Sequence, residues 1–238
     1  MARAGAILVS GPPPVRAARG AEQIYDRIKS MAITFAIRPG ERVNEVELAK
    51  ALNVSRTPLR EVLNRLMVEG FLTRAPNKGF SGRPLDAKQI FDLYELRRAL
   101  EASVVRIACE RAKDEELVEL EGFVKGSIDR RERANASNLL ALDEEFHERV
   151  AGLTRNHEMV KLLKAINSRI HFVRWLDMQK RHTQQDHLRI VKALKARDSA
   201  KAVGLVESHI SRRLDQIVDV IRMGFAEIYM RDQEGARA

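Results

Sequence analysis

The run EVELAKALNVSRTPLREVLNRL, residues 45–66, constrains this chain more than any other stretch. Its apolar residues return at helical spacing twice with one interruption, which predicts two short helices joined by a tight turn. In the first helix Leu48, Ala49 and Leu52 share a face. Asn53-Val54 breaks the pattern, because Asn tolerates the left-handed conformation that ends helices. Ser55 or Thr57 is expected to cap the second helix. Pro58 is acceptable in its first turn, where N–H groups have no intrahelical partner. Leu59, Val62, Leu63 and Leu66 form the inner stripe, while Arg56, Arg60 and Asn64 recur every four residues on the outer face.

Two cations and an amide on the exposed side of a short second helix suit a major-groove reader, since Arg forks onto guanine and Asn onto adenine. An ordinary helical hairpin with a solvated polar face would show the same periodicity, so the flanks decide. After the second helix comes EGFLTRAPNKGFSGRPL, residues 69–85. Phe71 to Ala75 and Phe80 to Arg83 are expected to pair as short strands around Asn77-Lys78-Gly79. A basic hairpin in this place is a wing, able to lay Lys78 and the Gly79 backbone N–H against phosphate. The expectation is a winged helix-turn-helix.

On these residues, RPGERVNEVELAKALNVSRTPLREVLNRLMVEGFLTRAPNKGF resembles the DNA-binding domain of the GntR family of bacterial transcription regulators. The run VSRTPLREVL is close to the family's most characteristic string. The resemblance implies that Ser55, Arg56, Thr57 and Arg60 contact operator DNA, together with the wing around Gly79. Some members carry a further DNA-contacting Arg early in the preceding helix, where this chain has Val46. That departure puts the base sequence it reads in doubt.

Charge placement supports the same division of labour. Residues 1–84 hold 14 Lys+Arg against 7 Asp+Glu, a net of +7, whereas residues 85–238 hold 28 against 26, a net of +2. A basic first third on a near-neutral remainder localises nucleic-acid binding to the N-terminal domain. Residues 1–19 lack acidic side chains and have a Pro-rich centre, and read as a flexible basic tail. Their apolar piece, Ala6 to Val9, is too short for a signal-peptide core. Elsewhere no apolar run approaches the roughly 20 residues of a membrane span. A single cysteine, Cys109, excludes an internal disulfide and fits a reducing cytoplasm.

The sequence therefore divides into a tail at 1–19, a winged helix-turn-helix at 20–84 and an all-α domain at 85–231. The first domain opens with a helix over 20–37 carrying Ile24, Ile28, Met31 and Phe35. The second is expected to be an antiparallel bundle of six helices, about 87–112, 115–133, 136–152, 156–178, 183–197 and 198–230, joined by short connections. The runs DLYELRRALEASVVRIACERA, DEEFHERV and HLRIVKALKARDSAKAVGLVESHI resemble the FCD ligand-binding domain of the FadR subfamily within the GntR regulators. Six helices rather than seven point to its VanR-like branch.

Several polar residues fall on apolar stripes of this bundle. Asp143 and His147 lie within the stripe of Leu139, Leu140, Leu142, Phe146 and Val150. His187 is in register with Ile190, Val191 and Leu194, and His209 sits beside Val206 and Ile210. Each alone is weak evidence, since a lone inward His is more often a hydrogen-bonded core residue than a ligand. A buried ionised Asp is costly, by several kcal/mol, unless it is paired or metal-bound. If they converge, three imidazoles and one carboxylate suit zinc, nickel, copper, manganese or iron better than calcium. The family resemblance places its metal ligands at these four positions, Asp143, His147, His187 and His209. It implies a divalent transition metal, with zinc the leading expectation. His157, His171 and His182 match no ligand position.

Arg97 also falls on a buried stripe, with Ile90, Leu93, Leu100 and Val104. It is either an internal ion pair with Glu101, one turn on, or a clamp for a carboxylate effector. Trp175 and Phe172 either wall such a pocket or fill the core. The expectation is a cytoplasmic, homodimeric, metabolite-responsive regulator, a repressor by default, that binds a pseudo-palindromic double-stranded operator and a small carboxylate. One rival keeps the metal purely structural, with no effector. Another is a metal-dependent hydrolase, against which stands the want of a second inward carboxylate, Glu144 and Glu145 both falling off the stripe.

Overall fold

The computed structural model describes residues 20–74, 79–130, 136–178, 184–212 and 215–224. The tail at 1–19, Lys78 and His182 lie outside them, as do the expected helix ends at 131–133 and 225–230. The chain divides into two compact units, Met1–Pro84 and Leu85–Ala238.

The first unit contains α1 (Gly20–Ile33), α2 (Glu45–Leu52), α3 (Arg56–Val68), β1 (Leu72–Arg74) and β2 (Phe80–Gly82). α1 stops short of residue 37 because Phe35 turns to a left-handed φ of 56°. Ile37, rather than Phe35, then carries the chain into the core. Asn44 starts α2, its side-chain oxygen accepting from the N–H groups of Val46 and Glu47 at 3.2 and 3.3 Å. Asn53, at φ 53° and ψ 49°, ends it. Ser55 takes the cap position of α3 with extended backbone but makes no capping bond through its hydroxyl. The inner residues Leu59, Val62, Leu63 and Leu66 are buried together with Leu48, Ala49 and Leu52.

α1 is braced onto α3 by a compact polar group. The Arg65 guanidinium lies 3.7 Å from the centre of the Tyr25 ring. Arg65 donates to Glu22 and Glu69, each at 3.0 Å, and the Tyr25 hydroxyl donates to Glu69 at 2.6 Å. The wing is anchored by backbone hydrogen bonds. β1 and β2 pair antiparallel, with Leu72 opposite Gly82 and Arg74 opposite Phe80. The segment leading to α2 joins them: the N–H of Gly40 donates to the Gly82 carbonyl, that of Gly82 to Glu41, and that of Val43 to Phe80, each at 2.9 Å. A β-carbon on Gly82 would run into the Arg38 carbonyl.

The second unit is helical throughout its described residues: α4 (Ala87–Arg111), α5 (Asp114–Arg130), α6 (Ala136–Gly152), α7 (His157–Met178), α8 (Gln184–Lys195), α9 (Ser199–Ile210) and α10 over residues 215–224. Asp86 and Asp198 cap α4 and α9 through their side chains, and Asn156 accepts from Glu158 and Met159 at the start of α7. α4 packs most closely on α9, α6 on α7, and α5 on α8. Phe146, Leu163, Ile170, Ile190, Leu194 and Val206 lie at the centre of the core.

One expectation needs correction. The last expected helix, 198–230, is two, so seven helical segments are seen among the described residues, and the count that pointed to a VanR-like branch does not hold. The break falls at Ser211, whose ψ of 132° leaves the helical region. The Arg212 guanidinium donates to the carbonyls of His209 and Ser211 at 3.3 and 2.8 Å and to Asp177 on α7 at 2.6 and 3.0 Å. A side chain thus satisfies carbonyls that a continuing helix would have used. Among the described residues no helix is long and apolar enough to cross a membrane.

Replacing Gly82 by Ala is expected to loosen the junction of wing and loop, costing about 1–3 kcal/mol as overpacking does. Amide hydrogen exchange should quicken at residues 38–43 and 80–82 while α8 and α9 stay protected; unchanged exchange at the wing would refute the close approach.

Candidate metal centre and DNA-binding face

α6, α8 and α9 bring Asp143, His147, His187 and His209 to one place in the second unit. All four are buried, and one ligand atom from each lies within 4.8 Å of the others. Nε2 of His209 is 3.2 Å from Nε2 of His147 and 3.2 Å from Nε2 of His187. Oδ1 of Asp143 lies 3.2 Å from His187 Nε2 and 4.0 Å from His209 Nε2, and its Oδ2 lies 3.8 Å from His147 Nε2. Donors held about 2.0–2.2 Å from a zinc-sized ion stand about 3.3–3.6 Å apart at tetrahedral angles. The spacing and the borderline donor set, three imidazoles and a carboxylate, therefore fit a divalent transition metal.

A second layer of charged groups surrounds these four. Nδ1 of His147 meets Oε2 of Glu101, and Oε1 of Glu101 accepts from Nε of Arg97 at 2.6 Å. Arg174 on α7 donates to Asp143 and, at 3.0 Å, to Glu144, which His171 approaches at 3.2 Å. Oδ2 of Asp186 stands 3.7 Å from Nδ1 of His209, an atom with no hydrogen-bond partner of its own. Burial works against charge at Glu101, Asp143, His147 and His187, yet it wins only at the two histidines among these. It pushes the His147 imidazole down to about 3 despite Glu101, and lowers His187 as well. Burial would raise Asp143, but the bond from His187 and the charge of Arg174 hold its carboxyl well below the usual range. Arg97 and His147 likewise overcome burial at Glu101 and hold it at about 2. The centre thus sets two ionised carboxylates, balanced by guanidiniums, against the neutral imidazoles of His147 and His187.

A pocket adjoins the centre, lined by Arg97, Arg174, Arg212 and Tyr94, and reaching Asp143 and His209. Arg97 shows the first of its two expected roles, the ion pair. It pairs with Glu101, and its Nη2 is buried without a protein partner beside the pocket. Phe172 and Trp175 stack on each other at 5.9 Å and do not line it. Trp175 donates from its indole N–H to Ser137 at 3.2 Å.

Arg174, Arg212 and Glu101 were not singled out from the sequence as site residues. Arg174 had a signal, for it lies one turn beyond Ile170 on a buried stripe, the anomaly that marked Arg97. Arg212 had none, since it sat inside an expected helix. Glu101 is the second inward carboxylate whose want counted against hydrolysis, 2% exposed and beside His147. It is no free base, because both oxygens are engaged and its carboxyl is held too acidic to take a proton near neutrality. Glu144 is only partly exposed, bonded to Arg174 and His171, while Glu145 is exposed and paired with Arg149.

In the first unit Ser55, Arg56, Thr57, Arg60 and Asn64 are all exposed along α3 and its N-terminus. Nε of Arg60 lies 3.5 Å from Glu45 on α2. Val46 on α2 is 60% exposed, an apolar side chain that offers bases no hydrogen bond. Gly79 is not brought to the surface with them: it is buried just before β2.

Residues 20–81 match the family model of bacterial regulatory proteins, gntR family, and residues 92–212 match the FCD domain. The chain is 48% identical over 208 residues to the Nta operon transcriptional regulator of Aminobacter aminovorans, covering 87% of this chain and 99% of that protein. It belongs to the GntR family. This GntR protein is a transcription regulator with a GntR DNA-binding domain and an FCD domain, and its relatives are regulators, not enzymes. YdhC of Bacillus subtilis, an uncharacterised HTH-type regulator, is 30% identical over 211 residues, 85% of this chain and 92% of that protein. A GntR regulator from Rhodococcus sp. RHA1 shares the fold at a TM-score of 0.68 and 22% identity, covering 85% of this chain and 99% of that one. Escherichia coli McbR/YncC does so at 0.64 and 20%, covering 89% and 97%. FCD domains bind metals, and the buried Asp/His cluster is where this one offers ligands.

In this regulator Arg174→Met should leave the Asp143 carboxylate buried beside neutral imidazoles. Urea unfolding in the presence of chelator is expected to show a loss of about 3–5 kcal/mol, the usual result of removing one member of a buried ion pair. A loss below 1 kcal/mol would mean that Asp143 is not held by Arg174.

Proposed function

We propose that this GntR protein is a cytoplasmic, homodimeric repressor whose FCD domain holds a divalent transition metal, zinc first, and senses a small organic acid beside it. The observation that carries this reading is the convergence of Asp143, His147, His187 and His209 next to a pocket lined by three arginines. When bound, the metal supplies a Lewis-acidic position to which an anionic ligand can coordinate. Arg97 offers the complementary contact: its unpartnered Nη2 can donate to a carboxylate that the metal draws in. A repressor assignment is supported by a relative named the HTH-type transcriptional repressor RspR of Escherichia coli, 25% identical over 205 residues.

In the first unit, Ser55, Arg56, Thr57, Arg60 and Asn64 meet the operator from α3 and its N-terminus, with Lys78 at the wing, and the buried Gly79 drops out of the contact set. Two such domains in a dimer would read a pseudo-palindromic site with half-sites about one helical turn apart. The acid releases DNA only through different affinities for the two arrangements of the dimer. Equal acid affinity with and without operator would therefore rule the coupling out.

A thermal-shift screen tests the sensor. Metal-loaded and chelated protein are heated with acetate, malonate and citrate at fixed salt. One acid is expected to raise the melting temperature only when metal is present. Stabilisation by metal with nothing added by any acid would favour a structural metal, and no response to metal would end the reading. On the DNA side, Arg56→Ala should lose about 1–3 kcal/mol of preference at one base pair in operator-variant titrations. An even loss across all sequences would instead make Arg56 a phosphate contact.

A further inference from the structure

Glu101 sits one turn after Arg97 on α4, and its two oxygens serve partners with different tasks. Oε2 meets Nδ1 of His147, a residue 46 positions away in the chain. Oε1 accepts from Nε of Arg97 at 2.6 Å. Both partners approach as donors. Arg has only N–H groups to offer, and a neutral imidazole facing a carboxylate presents its N–H. That arrangement puts the His147 proton on Nδ1 and leaves the lone pair on Nε2, the atom that faces Asp143 and His209. On the other side, anchoring Arg97 through Nε leaves its Nη2 without a protein partner at the pocket.

We propose that Glu101 is a positioning residue shared by the two halves of the sensor site, one oxygen setting the metal-binding tautomer of His147 and the other orienting Arg97 toward the anion. An ordinary pair four residues apart on a helix accounts for the bond to Arg97. It does not account for the second oxygen resting on a ligand histidine from α6. The carboxylate is also specific. Glutamine has one acceptor oxygen, so placed between two donors it would set its own N–H₂ against one of them. The inference rests on the metal reading above.

The test uses the full chain, stripped of metal and titrated with cobalt(II), wild type beside Glu101→Gln. The variant is expected to bind cobalt about 10–100-fold more weakly, the usual effect of losing an outer partner of a metal-bound His. Its cobalt-saturated form should also bind citrate more weakly than wild type. If wild type takes no cobalt, the metal reading itself fails. If wild type binds and the variant binds equally well, with only its melting temperature lowered, Glu101 is a structural ion pair and the proposal fails. Unchanged citrate affinity would overturn the shared role. Should the variant not fold, long-range ¹H–¹⁵N spectra of the histidines in metal-free wild type decide instead. His147 protonated at Nδ1 supports the proposal, and His147 protonated at Nε2 overturns it.

Discussion

The second unit depends on how the Asp143 charge is held inside a helical core. A carboxylate 3% exposed would cost several kcal/mol if left alone. Arg174 from α7 and His187 from α8 supply the compensation, so the residue that threatens the bundle also ties three of its helices together. The same logic repeats at Glu101, set between Arg97 and His147. Each charge is bearable because its partner is already fixed by packing around Phe146, Ile170 and Ile190.

The first unit faces a different problem. α3 must keep Arg56, Arg60 and Asn64 in solvent, so it cannot be secured on that side. Its grip comes from behind: Leu59, Leu63 and Leu66 reach the core, and Arg65 is clasped by Tyr25, Glu22 and Glu69 on its flank. The wing is fixed by the loop before α2, and Gly82 is the point of closest approach. The polar face of α3 is thus left exposed while the helix is held from behind.

Much of this was legible in the chain. The interrupted periodicity around Asn53, the paired strands about residues 77–79 and the long apolar stripes from Ala87 onward are local signals, each set by neighbours within a turn or two. Helix ends were less legible, for a reason visible at two of them. Phe35 continues the apolar spacing of α1 yet lies beyond its end, because the backbone turns left-handed there. Neither Ser211 nor Arg212 is a breaker residue, yet the helix ends there, where Arg212 bonds Asp177 on another helix. Spacing alone contains neither event.

The sequence by itself determined the two classes of fold, the residues exposed on α3 and the anomaly of charged and imidazole side chains on buried stripes. Those follow from local periodicity and from the cost of burying polar groups. Only the tertiary structure decided that Asp143, His147, His187 and His209 meet, that Arg174 and Arg212 join Arg97 at one pocket, and that Glu101 joins that pocket to His147. These contacts link residues tens of positions apart on helices whose rotation and depth are set by packing. A helical repeat states which face a residue occupies. It leaves open what lies across from that face.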